Sequence, residues 1–134
     1  MSNLETDKEF KPPFVARFRA MTDKVEIRFF WDGSQMVIFN WSSNPQQLSF
    51  QNPIDGKASG IPDKGYLLPG EMHDIEIRVT PAKIQAFADG NLRGELAGDF
   101  AAIEGPFGIG PAFGSTVTVE KFEVHTLEGP GGLL

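Results

Sequence analysis

The sequence contains no cysteine, so it can form no disulfide, no thiolate metal site and no cysteine nucleophile. It has no basic excess either, because 12 Lys and Arg stand against 18 Asp and Glu, a formal charge of −6. Proteins that bind nucleic acid or anionic membranes draw affinity from clustered cations, so neither partner is expected. No run approaches the ~20 apolar residues that span a bilayer. The opening segment MSNLETDKEF lacks the apolar core of a signal peptide, and the compartment stays open.

A sustained helical period is also missing, whereas strand-like alternation is widespread. In residues 70–92, the alternating run HDIEIRV breaks at Pro81, and a second run stops at Asp89-Gly90. Asp-Gly supplies the positive φ values of a type I′ hairpin turn. About ten short strands separated by regular turn signals predict an all-β fold, an antiparallel β-sandwich. We expect one domain over residues 1–134, with 1–9 and 128–134 as disordered tails.

Two local features refine this prediction. From Asn52 to Pro69 the alternation disappears, which predicts either a functional loop or a surface connection between the sheets. In the last strand Val117 and Val119 have one parity, and Phe122 and Val124 the other, so we expect a bulge near Glu120.

A family resemblance rests on the series EMHDIEIRVTPAKIQAFADGNLRGEL, GPFGIGP and GSTVTVEKFEVHTLE. Over residues 14–127 it resembles concanavalin-like jelly rolls, which include galectins, laminin G modules and family 16 glycoside hydrolases. Galectins read sugar with His, Asn and Arg on one strand, Asn on the next, and Trp, Glu and Arg after that. The strands VEIRFFWD and MVIFN place Arg28, Phe30 and Asp32 at the first set and Asn40 at the single Asn. The third strand, QQLSFQNP, lacks Trp and Glu. The resemblance implies a galectin-like jelly roll without the galactoside signature.

A sugar site pairs a flat apolar ring with planar hydrogen-bonding side chains, because a pyranose has one apolar face and a rim of hydroxyls. We predict a non-catalytic, lectin-like module that binds a glycan or polysaccharide on the concave sheet and the loops near residues 28–52. The alternative for each tryptophan is a place in the core, which strand parity favours for Trp31. The predicted ligand-binding residues are Arg28, Asn40, Trp41, Asn44 and Gln51.

Two other functions stay open. Family 16 enzymes carry three carboxylates on one strand face, and the nearest feature is Asp74 and Glu76, followed by Arg78 on the same face. Such a pair is spaced for glycoside hydrolysis, although an Asp-Glu-Arg row is commonly a solvated surface. The second alternative is a structural or protein-interaction module, with homo-oligomers formed through a sheet edge such as FGIGPAF.

Metal and cofactor chemistry has little support in the sequence. His73 and His125 have no metal-binding spacing and are expected to pack or hydrogen-bond at strand ends. No cofactor is predicted. A structural calcium ion is the one exception to consider, because concanavalin-like folds hold calcium through loop oxygens. The turn carboxylates available for it are those of Asp32, Asp55, Asp63, Asp89 and Asp99.

Overall fold

The computed structural model describes residues 3–127, which form eleven strands in two antiparallel sheets and no helix. One sheet has six strands in the order β1 (Leu4–Glu5), β10 (Phe107–Gly110), β3 (Ile27–Trp31), β4 (Ser34–Phe39), β5 (Leu48–Gln51) and β6 (Ala58–Ile61). The other has five strands in the order β11 (Val117–Thr126), β2 (Phe14–Thr22), β7 (His73–Val79), β8 (Lys83–Ala88) and β9 (Asn91–Ala97). The predicted antiparallel sandwich is confirmed. In the same residues, no helix is long and apolar enough to cross a membrane.

The hairpins follow from alternation and turn chemistry. Along β7, Ile75, Ile77 and Val79 are buried while Glu76 and Arg78 are half-buried on the other face. Both central residues have positive φ in the β8–β9 turn at Asp89-Gly90 (51° and 85°) and in the β3–β4 turn at Asp32-Gly33 (52° and 79°). These values fit the type I′ turns expected from the Asp-Gly pairs.

The core between the sheets is strongly aromatic. Trp31 is fully buried, and its Nε1–H donates to the Phe10 carbonyl at 3.1 Å. Its ring lies edge-on to Phe14 with centroids 5.3 Å apart, and Phe14 makes a similar contact with Phe107 at 5.7 Å. The parity argument that placed Trp31 in the core is therefore confirmed.

The bulge in the last strand is confirmed as well. The register of β11 against β2 shifts between Val119 and Lys121. Because the bulge reverses parity, Val117 and Val119 before it and Phe122 and Val124 after it all pack against the same core.

Two expectations need correction. Leu4 and Glu5, placed in a disordered tail at residues 1–9, form β1 by pairing with Ile109 and Gly108. The pairing was missed because a two-residue strand shows no alternation. The segment 52–69 contains the strand β6, whose sequence Ala-Ser-Gly-Ile is too small and irregular to signal one. The tail predicted at 128–134 lies outside the described residues.

Candidate functional site

A groove of about 260 Å³ lies on the outer face of the six-stranded sheet, across β4, β5 and β6. We call it the amide groove, because glutamine side chains supply much of its wall. The cross-strand pairing explains its floor: Ile38 pairs with Ser49, and Ser49 with Gly60, so small residues face outward on β5 and β6. Its principal lining side chains are Gln35, Ile38, Trp41, Gln47, Ser49 and Gln51.

A chain of hydrogen bonds runs along this face from a buried carboxylate to the groove. Arg28 Nε donates to Glu26 Oε1 at 2.6 Å, and Arg28 Nη1 donates to Gln35 Oε1 at 2.7 Å. Gln35 Nε2 then donates to Gln51 Oε1 at 2.9 Å. The charged end orients each amide in turn, so the Gln51 NH₂ group is held at the groove without needing a ligand to order it.

Glu26 anchors this chain. Its side chain is inaccessible to solvent, its φ is +57°, and its second oxygen accepts the Ser42 backbone N–H at 3.0 Å. Burial raises the pKa of the Glu26 carboxyl, but the hydrogen bonds from Arg28 and Ser42 outweigh burial and hold that pKa below its usual range. Glu26 is therefore ionised at neutral pH and compensates the Arg28 charge. The resulting groove is neutral and hydrogen-bonding rather than cationic.

Asn40 has a different environment from the other predicted ligand-binding residues. It is 1% exposed with φ +54°, and its Nδ2 donates to the Leu67 carbonyl at 2.7 Å. Its Oδ1 accepts the Leu67 N–H at 2.6 Å. This two-way bond ties the end of β4 to the segment after β6, and it leaves the Asn40 amide facing the interior. The structure thus brings Arg28, Trp41 and Gln51 onto one face, without Asn40.

Trp41 and Asn44 occupy the bend after β4. Trp41 is half-buried and forms a wall of the amide groove, so its ring lies neither in the core nor fully in solvent. Asn44 is exposed and its backbone N–H donates to the Trp41 carbonyl at 3.0 Å, closing the bend. Asn44 does not line the groove and is placed at its margin by this turn.

Four residues of this face were missed from the sequence. The hairpin turn at Asp32-Gly33 pairs Phe30 with Gln35, so Gln35 could have been placed beside Arg28 from turn type alone. Gln47 and Ser49 share parity with Gln51, a signal the sequence does contain. Phe113, 69% exposed with its ring 5.4 Å from the Arg28 guanidinium, comes from a loop that no local pattern places there.

The carboxylates of the enzyme alternative lie on the opposite sheet. Asp74 Oδ1 accepts from Arg19 at 3.1 Å, and Glu76 is held by both Arg17 and Arg78. Burial raises the pKa of Glu76, but the hydrogen bonds from the two arginines outweigh it and lower the pKa. Glycoside hydrolysis needs one carboxyl kept protonated, and the surroundings of Glu76 act in the other direction. This alternative is not favoured.

His73 hydrogen-bonds at the start of β7, as expected, whereas His125 near the end of β11 is exposed and does not pack as expected. His73 Nδ1 lies 2.8 Å from Asp89 Oδ2 and His125 Nε2 lies 3.6 Å from Glu123 Oε1. Within residues 3–127, no three His, Cys, Asp or Glu side chains come together in a group that could hold a metal ion. The structural calcium suggested by the turn aspartates stays a prediction.

Known proteins resemble this chain in structure but not in sequence. No family model and no curated protein matches the sequence. Among solved structures, the carbohydrate binding module CBM66 from Bacillus subtilis matches with a TM-score of 0.69 and 11% identity, covering 94% of this chain and 84% of that one. Caenorhabditis elegans galectin LEC-6 gives 0.67 and 10%, covering 93% and 91%. Sheep galectin-11, in complex with glycerol, gives 0.65 and 9%, covering 93% and 98%.

The chain has a concanavalin-like jelly-roll fold. This assignment rests on the two antiparallel sheets, one of six strands and one of five. Sequence identity at this level establishes the fold alone. The amide groove lies on the six-stranded sheet of the jelly roll, and the Asp74 and Glu76 face lies on the five-stranded sheet.

Proposed function

We propose that this jelly roll is a non-catalytic carbohydrate-binding module that holds a glycan in the amide groove. The observation that carries the proposal is the fixed chain of amides beside Trp41. The indole offers an apolar surface for a sugar ring, while Gln35, Gln47 and Gln51 offer planar donors and acceptors for hydroxyls. Because Glu26 compensates Arg28, the groove favours uncharged hydroxyl-rich ligands over anions. Among the matching structures, CBM66 is named as a carbohydrate binding module and two others are named as galectins.

Pre-organisation supports this proposal energetically. A ligand that binds mobile glutamines must order them, at a cost of about 0.5–1.5 kcal/mol for each side chain. Here Gln35 and Gln51 are already bonded to each other, and Gln47 Nε2 donates to Ser49 Oγ at 3.3 Å. Gln47 also lies directly over Gly60, where any larger residue would push it aside. The groove therefore keeps its shape before a ligand arrives.

The test is a glycan-array screen of the purified protein, followed by calorimetric titration with the best glycan. We expect selective binding that Trp41→Ala weakens at least about tenfold and Gln51→Ala about fivefold, the loss of one stacking surface and one hydrogen bond. The matched control is Leu92→Ala, because Leu92 is an exposed apolar residue (47%) on the five-stranded sheet. A folded protein that binds no glycan, or binds equally well without Trp41, would contradict the proposal.

Calcium forms a separate arm of the same screen. The array is run once with calcium and once with a chelator. Binding that needs calcium would support a structural ion at the turn aspartates, whereas unchanged binding would restrict recognition to the side chains of the groove. Homo-oligomers formed through a sheet edge also stay a prediction, which sedimentation of the same sample tests.

A further inference from the structure

A second and larger cavity, of about 460 Å³, lies on the outer face of the five-stranded sheet. We call it the arginine cavity. It lies on the side of the sandwich opposite the amide groove, so the two are independent surfaces. Cross-strand pairing builds it: Arg17 of β2 pairs with Glu76 of β7, and Glu76 pairs with Phe87 of β8. Its lining includes Arg17, Asp74, Glu76, Arg78, Phe87, Gly90 and Lys121.

Two guanidinium groups are held in this cavity by one carboxylate. Arg17 Nε donates to Glu76 Oε1 at 2.9 Å, and Arg78 Nε donates to Glu76 Oε2. Both arginines are anchored through Nε alone. Within residues 3–127, neither Nη1 nor Nη2 of either arginine has a protein hydrogen-bond acceptor. Each guanidinium therefore keeps its paired NH₂ groups for another partner while its position is already fixed.

The charge of this triad differs from that of the whole chain. Arg17, Glu76 and Arg78 together carry one positive charge in a protein whose formal net charge is −6. The lowered pKa of Glu76 keeps its charge at neutral pH, so it stays bonded to the arginines and does not accept a proton from a ligand. Lys121 and Asp74 also line the cavity and their opposite charges cancel, so the five charged side chains of the lining sum to one positive charge.

The Phe87 ring and an open space at Gly90 complete the cavity. The Arg78 guanidinium carbon lies 4.8 Å from the centroid of the Phe87 ring, a cation–π contact that adds to the ion pair in holding the side chain. At Gly90 an added Cβ would meet no atom within 4 Å, so there is space above this turn. A ring-sized group can occupy that space while an attached anionic group reaches the arginines.

From this geometry we infer that the arginine cavity is a second binding site, which takes a sulfate or carboxylate group carried on a sugar. The NH₂ fork of a guanidinium matches the two oxygens of such a group, and two forks that share one carboxylate provide a pair of such contacts. The negative charge of the rest of the chain disfavours long polyanions such as nucleic acid and leaves short acidic sugars as the class that fits. The sugar part of this inference rests on the proposed function, whereas the anionic part does not.

The experiment is a titration followed by amide NMR, with a sulfated heparin-derived hexasaccharide and the same hexasaccharide after desulfation. We expect the sulfated probe to shift amides of β2, β7 and β8, and the desulfated probe to leave them unchanged. Arg78→Lys keeps the charge but removes the fork, and it should weaken binding about fivefold or more. Arg17→Gln should weaken it further. The matched control is Arg93→Lys, because Arg93 lies on β9 and bonds the Lys64 and Tyr66 carbonyls.

The variants must first show native amide spectra, so that loss of the ion pair is separated from loss of the fold. Unchanged affinity in both Arg78→Lys and Arg17→Gln would overturn the inference, and so would equal binding of the two hexasaccharides. Stronger binding of a DNA duplex of equal charge would also overturn it, since that result indicates a general polyanion surface. Trp41→Ala separates the two sites: sulfated-probe binding that survives it while array binding is lost supports two sites. If Trp41→Ala also abolishes binding of the sulfated probe, the inference of a second site at the arginine cavity is overturned.

Discussion

Replacing Glu26 by Gln tests whether a buried charge organises the amide groove. The side chain keeps its shape, but a glutamine has one acceptor oxygen where the carboxylate has two. Because Glu26 accepts from both Arg28 and Ser42, one of these donors would face an NH₂ group in the variant. Losing a hydrogen bond to a charged group costs about 1.5–3 kcal/mol. With Arg28 one fifth exposed, water recovers part of that cost. We expect the free energy of unfolding at pH 7 to fall by about 2 kcal/mol.

The pH dependence makes the prediction specific. The pKa of Glu26 is lowered from its ordinary value of 4.5 in the folded state. The carboxylate therefore contributes its full stability above about pH 5.5 and loses it as pH falls through 4.5 towards the folded pKa. The difference between the wild type and Glu26→Gln should shrink over this range, because protonated glutamate and glutamine are both neutral.

Urea unfolding at a series of pH values from 3 to 7 measures both effects. Glu104→Gln serves as the control, since Glu104 is exposed and makes no ion pair with any residue that the structure describes. It should change stability by less than about 0.5 kcal/mol at every pH. A Glu26→Gln loss that is the same at pH 3 as at pH 7 would refute the electrostatic reasoning, because only a packing defect behaves in that way.

Three further variants test other parts of the structure by thermal unfolding. Asn40→Ala should cost about 3 kcal/mol, since it removes both bonds to Leu67 at a positive φ; a loss under 1 kcal/mol would contradict its structural role. Gly65→Ala should cost about 3 kcal/mol or more, because its Cβ would overlap the backbone carbonyl of Gln47, and near-native stability would show that the loop relaxes. Trp31→Phe should cost about 2–3 kcal/mol by leaving a cavity and removing the Nε1–H bond to the Phe10 carbonyl, which keeps the Gly105 N–H as its other donor.

The sequence predicted the parts of this fold that depend on neighbours along the chain. Alternation placed β2, β7 and β8, and the Asp-Gly pairs predicted two hairpin turns, because side-chain parity and turn φ values are local properties. It did not predict β6, where Gly60 is required by the Gln47 side chain that lies over it. That requirement arises between strands and leaves no local pattern.

The candidate site was predictable to a similar degree. Arg28, Trp41 and Gln51 were selected for their chemistry, and the structure brings them to one face. Asn40 has equally suitable chemistry, yet its amide is bonded to Leu67, a residue 27 positions away in the chain. An asparagine at the end of a strand looks the same in sequence whether it binds a ligand or closes a loop. Its role depends on which group hydrogen-bonds to its amide, and the tertiary structure determines that group.

The strand order has a consequence for how the chain is made. β2 lies between β7 and β11, and the pairing with β11 joins Phe14 to Thr126. In the other sheet β3 is flanked by β4 and by β10, near the opposite end of the chain. During synthesis, therefore, β2 and β3 each have one edge that stays unpaired until β11 and β10 have been made. Neither sheet is complete until residues 107–126 have been made, so a chain interrupted before β10 exposes unpaired edges in both sheets.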